Sequence, residues 1–279
     1  RRLMNLVVQG QKVETRALKD LTTLTGSEGV GRLGNNAFRL RGAQPSPEVE
    51  TYCEANSLDC AFVPDDRRLS DFKLFVTDMD STLITIECID EIADMQGLKA
   101  EVSTITEAAM RGEMDFRESL TRRVALLEGL PEDALRRVFE ERLQFNPGAE
   151  ALLAGLKKAG IITVLVSGGF TYFTDRLQKQ LGFDYAVANE LEIRAGKLTG
   201  KVRGDIVDGE AKRHTLQLVR KLHGFAPETV IAAGDGANDL PMLHEAGVGI
   251  AYHAKPVVRA QATYALNHCG LDGILNLLG

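Results

Sequence analysis

The sequence predicts an α/β protein: a doubly wound parallel sheet with a helical segment inserted near its start and a small α+β unit in front of it. Three observations predict this. From about residue 146 onward, apolar runs of strand length alternate with amphipathic helices, the pattern of parallel strand-helix units. Between Glu87 and about Phe145 the apolar period is helical almost throughout. The first 65 residues read strand, helix, strand, strand, helix, strand.

Composition narrows the function classes. The 279 residues exceed one average domain, and 44% hydrophobic with 26% charged residues is the balance of a soluble globular protein with a real core. A net charge of -6 argues against nucleic-acid and membrane-surface partners, because both are bound through clustered Lys and Arg. Cys53, Cys60, Cys88 and Cys269 lack metal spacing and read as reduced thiols, and the five histidines form no ligand pair at helical spacing. The longest apolar run, Ile161 to Val166, is too short to span a bilayer, and no charged-then-apolar segment opens the chain, so a cytoplasmic protein is expected.

Leu3 to Val8 reads as the first strand, and Val13, Ala17, Leu18, Leu21 and Leu24 then recur at helical spacing up to Gly26. Gly34-Asn35-Asn36 tolerate the positive φ of a tight turn and join a weak strand at Arg32-Leu33 to a second at Ala37 to Leu40. Ser46 before Pro47 is a helix start, the hydroxyl capping free N–H groups and proline fitting the first turn. Ala61 to Val63 completes the unit. This βαββαβ order resembles the ferredoxin-like domains that include the amino-acid-binding ACT modules. Residues 1–70 are therefore expected to be an accessory domain, a candidate for effector binding or for joining two copies as a homodimer.

Pro64-Asp65-Asp66-Arg67-Arg68 is a polar break, after which the apolar strand Leu74 to Val76 runs straight into Thr77-Asp78-Met79-Asp80-Ser81-Thr82. An α/β core is expected over residues 71–86 and 146–279, with the helical segment 87–145 inserted in it. Its further strands are Ile161 to Val166, Val230 to Ala233 and Val248 to Ala251, with helices from Thr171 to Leu181, Glu210 to Leu222 and Leu240 to Ala246. Between Tyr185 and Val207 the period drops to two around Arg194-Ala195-Gly196-Lys197, which predicts a β-hairpin flap.

Open parallel sheets bind ligands beyond the carboxyl ends of their strands. Here one strand end delivers Asp78 and Asp80, a second Ser167, Gly168 and Gly169, and a third Asp235, Asn238 and Asp239. Aspartates gathered at one edge repel unless a cation or protons compensate, and an all-oxygen site suits a hard cation, Mg2+. A phosphate bridging that metal to the Ser167 hydroxyl, the Gly168 N–H and an ammonium such as Lys212 makes phosphoryl transfer the chemistry indicated.

Asp78-Met79-Asp80-Ser81-Thr82, Ser167-Gly168-Gly169, Gly209-Glu210-Ala211-Lys212 and Gly234-Asp235-Gly236-Ala237-Asn238-Asp239 resemble the four ordered motifs of the haloacid dehalogenase superfamily, over about residues 72 to 279. The resemblance implies Asp78 as nucleophile forming an aspartyl-phosphate and Asp80 as acid, then base. It implies that Ser167, Gly168, Lys212 and Asn238 hold the phosphoryl group. Asp78, Asp235 and Asp80, the last through its carbonyl, would hold the metal, and Asp239 would orient Lys212. The helical insertion corresponds to the family's cap. Within it Gly112 to Leu120 and Arg122-Arg123-Val124 resemble the phosphoserine phosphatase branch, as does Glu87 seven positions beyond Asp80. That branch carries out the last step of serine biosynthesis, and its substrate contacts map onto Glu87, Met110, Phe116 and Arg123. The set suits phosphoserine, whose ammonium wants a carboxylate and whose carboxylate wants a guanidinium.

Read without the resemblance, Glu87, Asp90, Glu91 and Asp94 form a solvated acidic stripe, Arg123 and Lys212 surface cations, and Met110 and Phe116 ordinary core. Other readings stay open at this stage. One is a different phosphomonoester, or phosphoryl transfer to an acceptor such as homoserine. Another is a receiver-like module, disfavoured by the Asp-x-Asp spacing and the insertion, and a third is an amino-acid sensor without catalysis.

Overall fold

The computed structural model describes residues 2–279. Strands β1 (Met4–Gly10), β2 (Gly29–Gly34), β3 (Ala37–Arg41) and β4 (Leu58–Pro64) form an antiparallel sheet in the order β2-β3-β1-β4, covered on one face by α1 (Thr15–Thr25) and α2 (Pro47–Ala55). Alternation sets the faces: Leu6 and Val8 pack with Leu21 and Val49 of the helices, whereas Val7 joins Ala61 and Val63 in the main core. Ser46 Oγ accepts the Glu48 N–H at 3.3 Å, the cap expected ahead of Pro47. The strand expected to be weak runs the full length from Gly29, because pairing with β3 supplies what its three glycines do not.

Next comes β5 (Leu74–Thr77), then helices α3 (Cys88–Asp94), α4 (Lys99–Met110), α5 (Phe116–Ala125), α6 (Asp133–Glu141) and α7 (Ala149–Lys158). The chain continues through β6 (Ile162–Phe170), α8 (Thr171–Leu181), β7 (Tyr185–Arg194), β8 (Lys197–Arg203), α9 (Gly209–Leu222), β9 (Val230–Gly234), α10 (Leu240–Glu245) and β10 (Val248–Tyr252). It closes with α11 (Pro256–Arg259), β11 (Tyr264–Leu266) and α12 (Gly273–Leu277). The second sheet has the order β11-β10-β9-β5-β6-β7-β8, parallel except for the β7–β8 pair. Central β5 is buried on both sides, Leu74 and Val76 against Leu216 and Met242, Phe75 against Leu165 and Ile231.

The hairpin expected as a flap belongs to this sheet. Tyr185–Val187 of β7 pair in parallel with Val164–Val166 of β6, and the far part of β7 pairs with β8. Period-two alternation is the same for a flap and for a sheet extension, so periodicity alone does not separate them.

The helical insertion leaves and rejoins the core at one place. Thr85 N–H donates to Gln144 O at 2.9 Å, and the Asn146 side-chain amide donates to Thr82 O at 2.8 Å and Ile84 O at 3.0 Å. The N-terminal unit is fastened to the last elements by Asp59, whose carboxylate accepts the N–H groups of Asn267, His268 and Cys269 at 2.7, 2.9 and 3.0 Å. Gln9 adds a hydrogen bond to Gly273 O at 3.1 Å. All four cysteines are free thiols, and among the described residues no helix is long and apolar enough to cross a membrane.

Candidate active site

Asp78 follows the end of β5, and the chain then makes a wide turn over Met79–Leu83 in which Ile84 N–H donates to Met79 O at 3.1 Å. Ser81 takes a left-handed conformation (φ 60) in that turn, rare for a residue with a side chain, and its hydroxyl donates to Glu87 Oε1 at 2.9 Å. The turn returns Asp80 to the same sheet edge as Asp78, where Asp80 Oδ1 accepts the Cys88 N–H at 3.4 Å.

On the neighbouring strand, the pairing register of β6 breaks between Val166 and Phe170, which re-aims Ser167, Gly168 and Gly169. A side chain at either glycine would force a neighbour to move. A Cβ at Gly168 would lie 2.5 Å from Phe116 Cζ of the insertion, and one at Gly169 would lie 2.9 Å from Asp80 Oδ2. Asn189 supports the bulge by donating to Gly168 O at 2.9 Å.

On the other side of β5, β9 is followed by Asp235, whose Oδ1 accepts the Thr82 hydroxyl at 2.9 Å. Asp239 Oδ2 accepts the N–H groups of Asp235 and Gly236 at 3.0 and 3.1 Å, and its Oδ1 takes the Lys212 ammonium at 2.7 Å. Lys212 also reaches Asp78 Oδ1 at 2.9 Å. Asp208 starts the helix that carries Lys212, its Oδ1 accepting the Ala211 N–H at 2.9 Å.

Carboxylate oxygens of Asp78, Asp235 and Asp239 lie within 4.8 Å of one another, all buried. The Asp80 carboxylate is not part of that cluster among the described residues. Asp239 has both oxygens on protein donors, whereas Asp78 and Asp235 each keep one oxygen beyond theirs. Burial would depress the Lys212 ammonium, but Asp239 and Asp78 overcome it and hold it above its ordinary value. One ammonium does not balance the cluster: burial and Asp78 push the Asp235 carboxyl well above the carboxylate range. They lift Asp80 to about 7 and Asp239 to about 6. A cation among these oxygens relieves that repulsion, and a donor set of oxygens alone fits a hard divalent metal.

A cleft opens above the cluster, lined by Asp78, Asp80, Glu87, Met110, Phe116, Arg123, Gly168 and Asn238 among others. Ser167, Lys212, Asp235 and Asp239 are buried and do not line it; Lys212 is reached through Asp78. The surface readings of the two cations fail, since Lys212 is 0% and Arg123 2% exposed. Arg123 donates from Nε to Ser119 O at 3.2 Å and from Nη1 to Thr106 Oγ1 at 3.1 Å, with its Cζ 5.8 Å from the centroid of the Phe116 ring. Its Nη2, like Asn238 Oδ1, is buried without a partner among the described residues. The acidic stripe divides: Glu91 and Asp94 pair with Arg142, Asp90 turns inward to Thr106, and Glu87 lines the cleft. Sequence reasoning placed Thr82 in the first motif without giving it a role, and missed Thr106, Asn189 and Asp208. The signal for Thr106 was its place one helical turn before Met110, on the same face.

The sequence pattern of haloacid dehalogenase-like hydrolases matches residues 75–244, more than half of the chain. The chain belongs to this family. Within it, a phosphoserine phosphatase of Albidiferax ferrireducens is 55% identical over 215 residues, covering 75% of this chain and 91% of its own length. A phosphoserine phosphatase of Haemophilus influenzae is 48% identical over 276 residues, covering 98% and 88%. The crystal structure of a probable phosphoserine phosphatase from Vibrio cholerae superposes with a TM-score of 0.84 at 40% identity, over 98% of this chain and 86% of that one. With phosphoserine phosphatases among its relatives, the chain is a phosphoric monoester hydrolase, and its buried acidic cluster suits the metal dependence of haloacid dehalogenase phosphatases.

Proposed function

We propose that this hydrolase converts L-phosphoserine to L-serine and phosphate through an aspartyl-phosphate on Asp78. The observation that carries the proposal is the cleft itself, which sets Glu87 and a buried, partly unpaired Arg123 over the Asp78–Asp80 pair. One carboxylate and one guanidinium are the complements of an amino acid's ammonium and carboxylate.

An oxygen of Asp78 attacks phosphorus while the bond from phosphorus to the seryl oxygen breaks, and Asp80 gives that oxygen its proton. Asp80 then takes a proton from a water that attacks the phosphorus, releasing phosphate and restoring Asp78. A carboxyl lifted to about 7 suits both halves, protonated for the first and basic enough for the second. The Ser167 hydroxyl, the Gly168 N–H, the Lys212 ammonium and the Asn238 side chain hold the phosphoryl oxygens, while Asp239 orients Lys212. Asp78, Asp235 and the Asp80 carbonyl would hold Mg2+, which neutralises charge on the phosphoryl group when bound.

In this reading residues 71–86 and 146–279 are the catalytic core and 87–145 the cap that excludes water over the substrate. Residues 1–70 are an ACT-like accessory domain and the candidate surface for a homodimer. Support for the first comes from the paired linkers at Thr85 and Gln144, and for the second from the β2-β3-β1-β4 sheet.

Arg123→Ala tests the substrate assignment. The ratio of kcat/KM for phosphoserine to that for an aryl phosphate should fall roughly tenfold to hundredfold, the loss of a charged hydrogen-bond partner. An unchanged ratio in steady-state assays contradicts the phosphoserine reading and leaves the phosphatase chemistry standing.

A further inference from the structure

Arg123 does not meet a carboxylate directly. Its Nη1 donates to Thr106 Oγ1 at 3.1 Å, and that hydroxyl in turn lies 2.7 Å from Asp90 Oδ1 and 3.1 Å from Val102 O. A guanidinium only donates, so Thr106 must accept from it and send its single proton elsewhere. The nearer, charged acceptor is Asp90, and this fixes the hydroxyl rotor with a lone pair toward Arg123. All three side chains are buried, Arg123 at 2%, Thr106 at 1% and Asp90 at 9% exposure.

The arrangement leaves the guanidinium few freedoms. Nε is held by Ser119 O, Nη1 by Thr106, one face lies near the Phe116 ring, and Nη2 alone has no partner among the described residues. A substrate carboxylate is therefore offered the terminal end of the guanidinium and not its Nε side. We infer that Thr106, anchored by Asp90, is a positioning residue for substrate specificity, keeping Arg123 aimed into the cleft and out of direct ion pairs with the carboxylates around it. The inference rests on the phosphoserine reading and adds the device that makes Arg123 selective.

The test compares kcat/KM for phosphoserine with that for phosphoethanolamine, which keeps the phosphate and ammonium but lacks the carboxylate. Wild type, Thr106→Val, Thr106→Ser, Arg123→Ala and the Thr106→Val/Arg123→Ala double variant are measured, each checked for an unchanged thermal midpoint. Valine keeps the shape of threonine without the acceptor, so the ratio should fall about tenfold, mostly through KM for phosphoserine. Serine restores the hydroxyl and should bring the ratio back to within about threefold of wild type. In the double variant the ratio should fall no further than in Arg123→Ala, because Thr106 acts through Arg123. A ratio that drops in Arg123→Ala but not in Thr106→Val overturns the inference while sparing the substrate reading, and so does full additivity in the double variant. A ratio unmoved by Arg123→Ala overturns the substrate reading and this inference with it.

Discussion

Asp78→Asn is expected to lose at least about a thousandfold in turnover while the protein stays folded. The amide keeps the shape of the carboxylate and can still accept from the Lys212 ammonium 2.9 Å away, so the local packing has no reason to change. What disappears is the charge that attacks phosphorus. The variant also removes one negative charge from a buried cluster whose members Asp235 and Asp239 are already held above the carboxylate range, so stability should hold or rise. Phosphate-release rates together with a denaturation curve check both halves. A variant retaining more than about a tenth of the turnover contradicts a nucleophilic role.

Lys212→Met should be damaging in a different way. The ammonium is fully buried and touches Asp239 at 2.7 Å and Asp78 at 2.9 Å, so its loss leaves two buried carboxylates without their cation. Breaking such a pair from one side typically costs about 3 kcal/mol or more. Turnover should fall at least about a hundredfold, since the group that neutralises the transferring phosphoryl goes with it. Because the pairing raises the ammonium's pKa, the stability it contributes is fully present below the ordinary lysine value and is lost only above it. Urea melts at neutral pH measure the difference. A stability within about 0.5 kcal/mol of wild type would contradict the assigned pairing.

Much of this site was legible in the sequence because its residues sit where apolar runs stop. Asp78 and Asp235 each follow a buried strand and Ser167 follows the apolar run of β6, and the rule that parallel sheets bind ligands at their carboxyl ends brings them together from the sequence alone. Contacts across the insertion were not legible in the same way. That Gly168 makes room for Phe116 and Gly236 for Met110 depends on how far the insertion closes over the core, which spacing along the chain does not encode. Thr106 was passed over because a threonine in a helix interior is usually back-bonded to its own helix. Thr106 does approach Val102 O, and only its contacts with Asp90 and Arg123 give it another role. The hairpin at Arg194-Ala195-Gly196-Lys197 was visible, but its continuity with the central sheet came from the parallel pairing of β7 with β6.

The central claim is tested most directly by inorganic phosphate release from L-phosphoserine, D-phosphoserine, phosphothreonine and an aryl phosphate, each with Mg2+ and after exhaustive chelation. L-phosphoserine should be hydrolysed with the highest kcat/KM, at least about tenfold above the aryl phosphate, as expected when a charged group of the substrate finds its partner. Activity on every substrate should collapse without the metal and return with Mg2+, with Ca2+ a poor replacement because it is larger and takes more ligands. An aryl phosphate cleaved as efficiently as L-phosphoserine, or activity undiminished by chelation, would contradict the account.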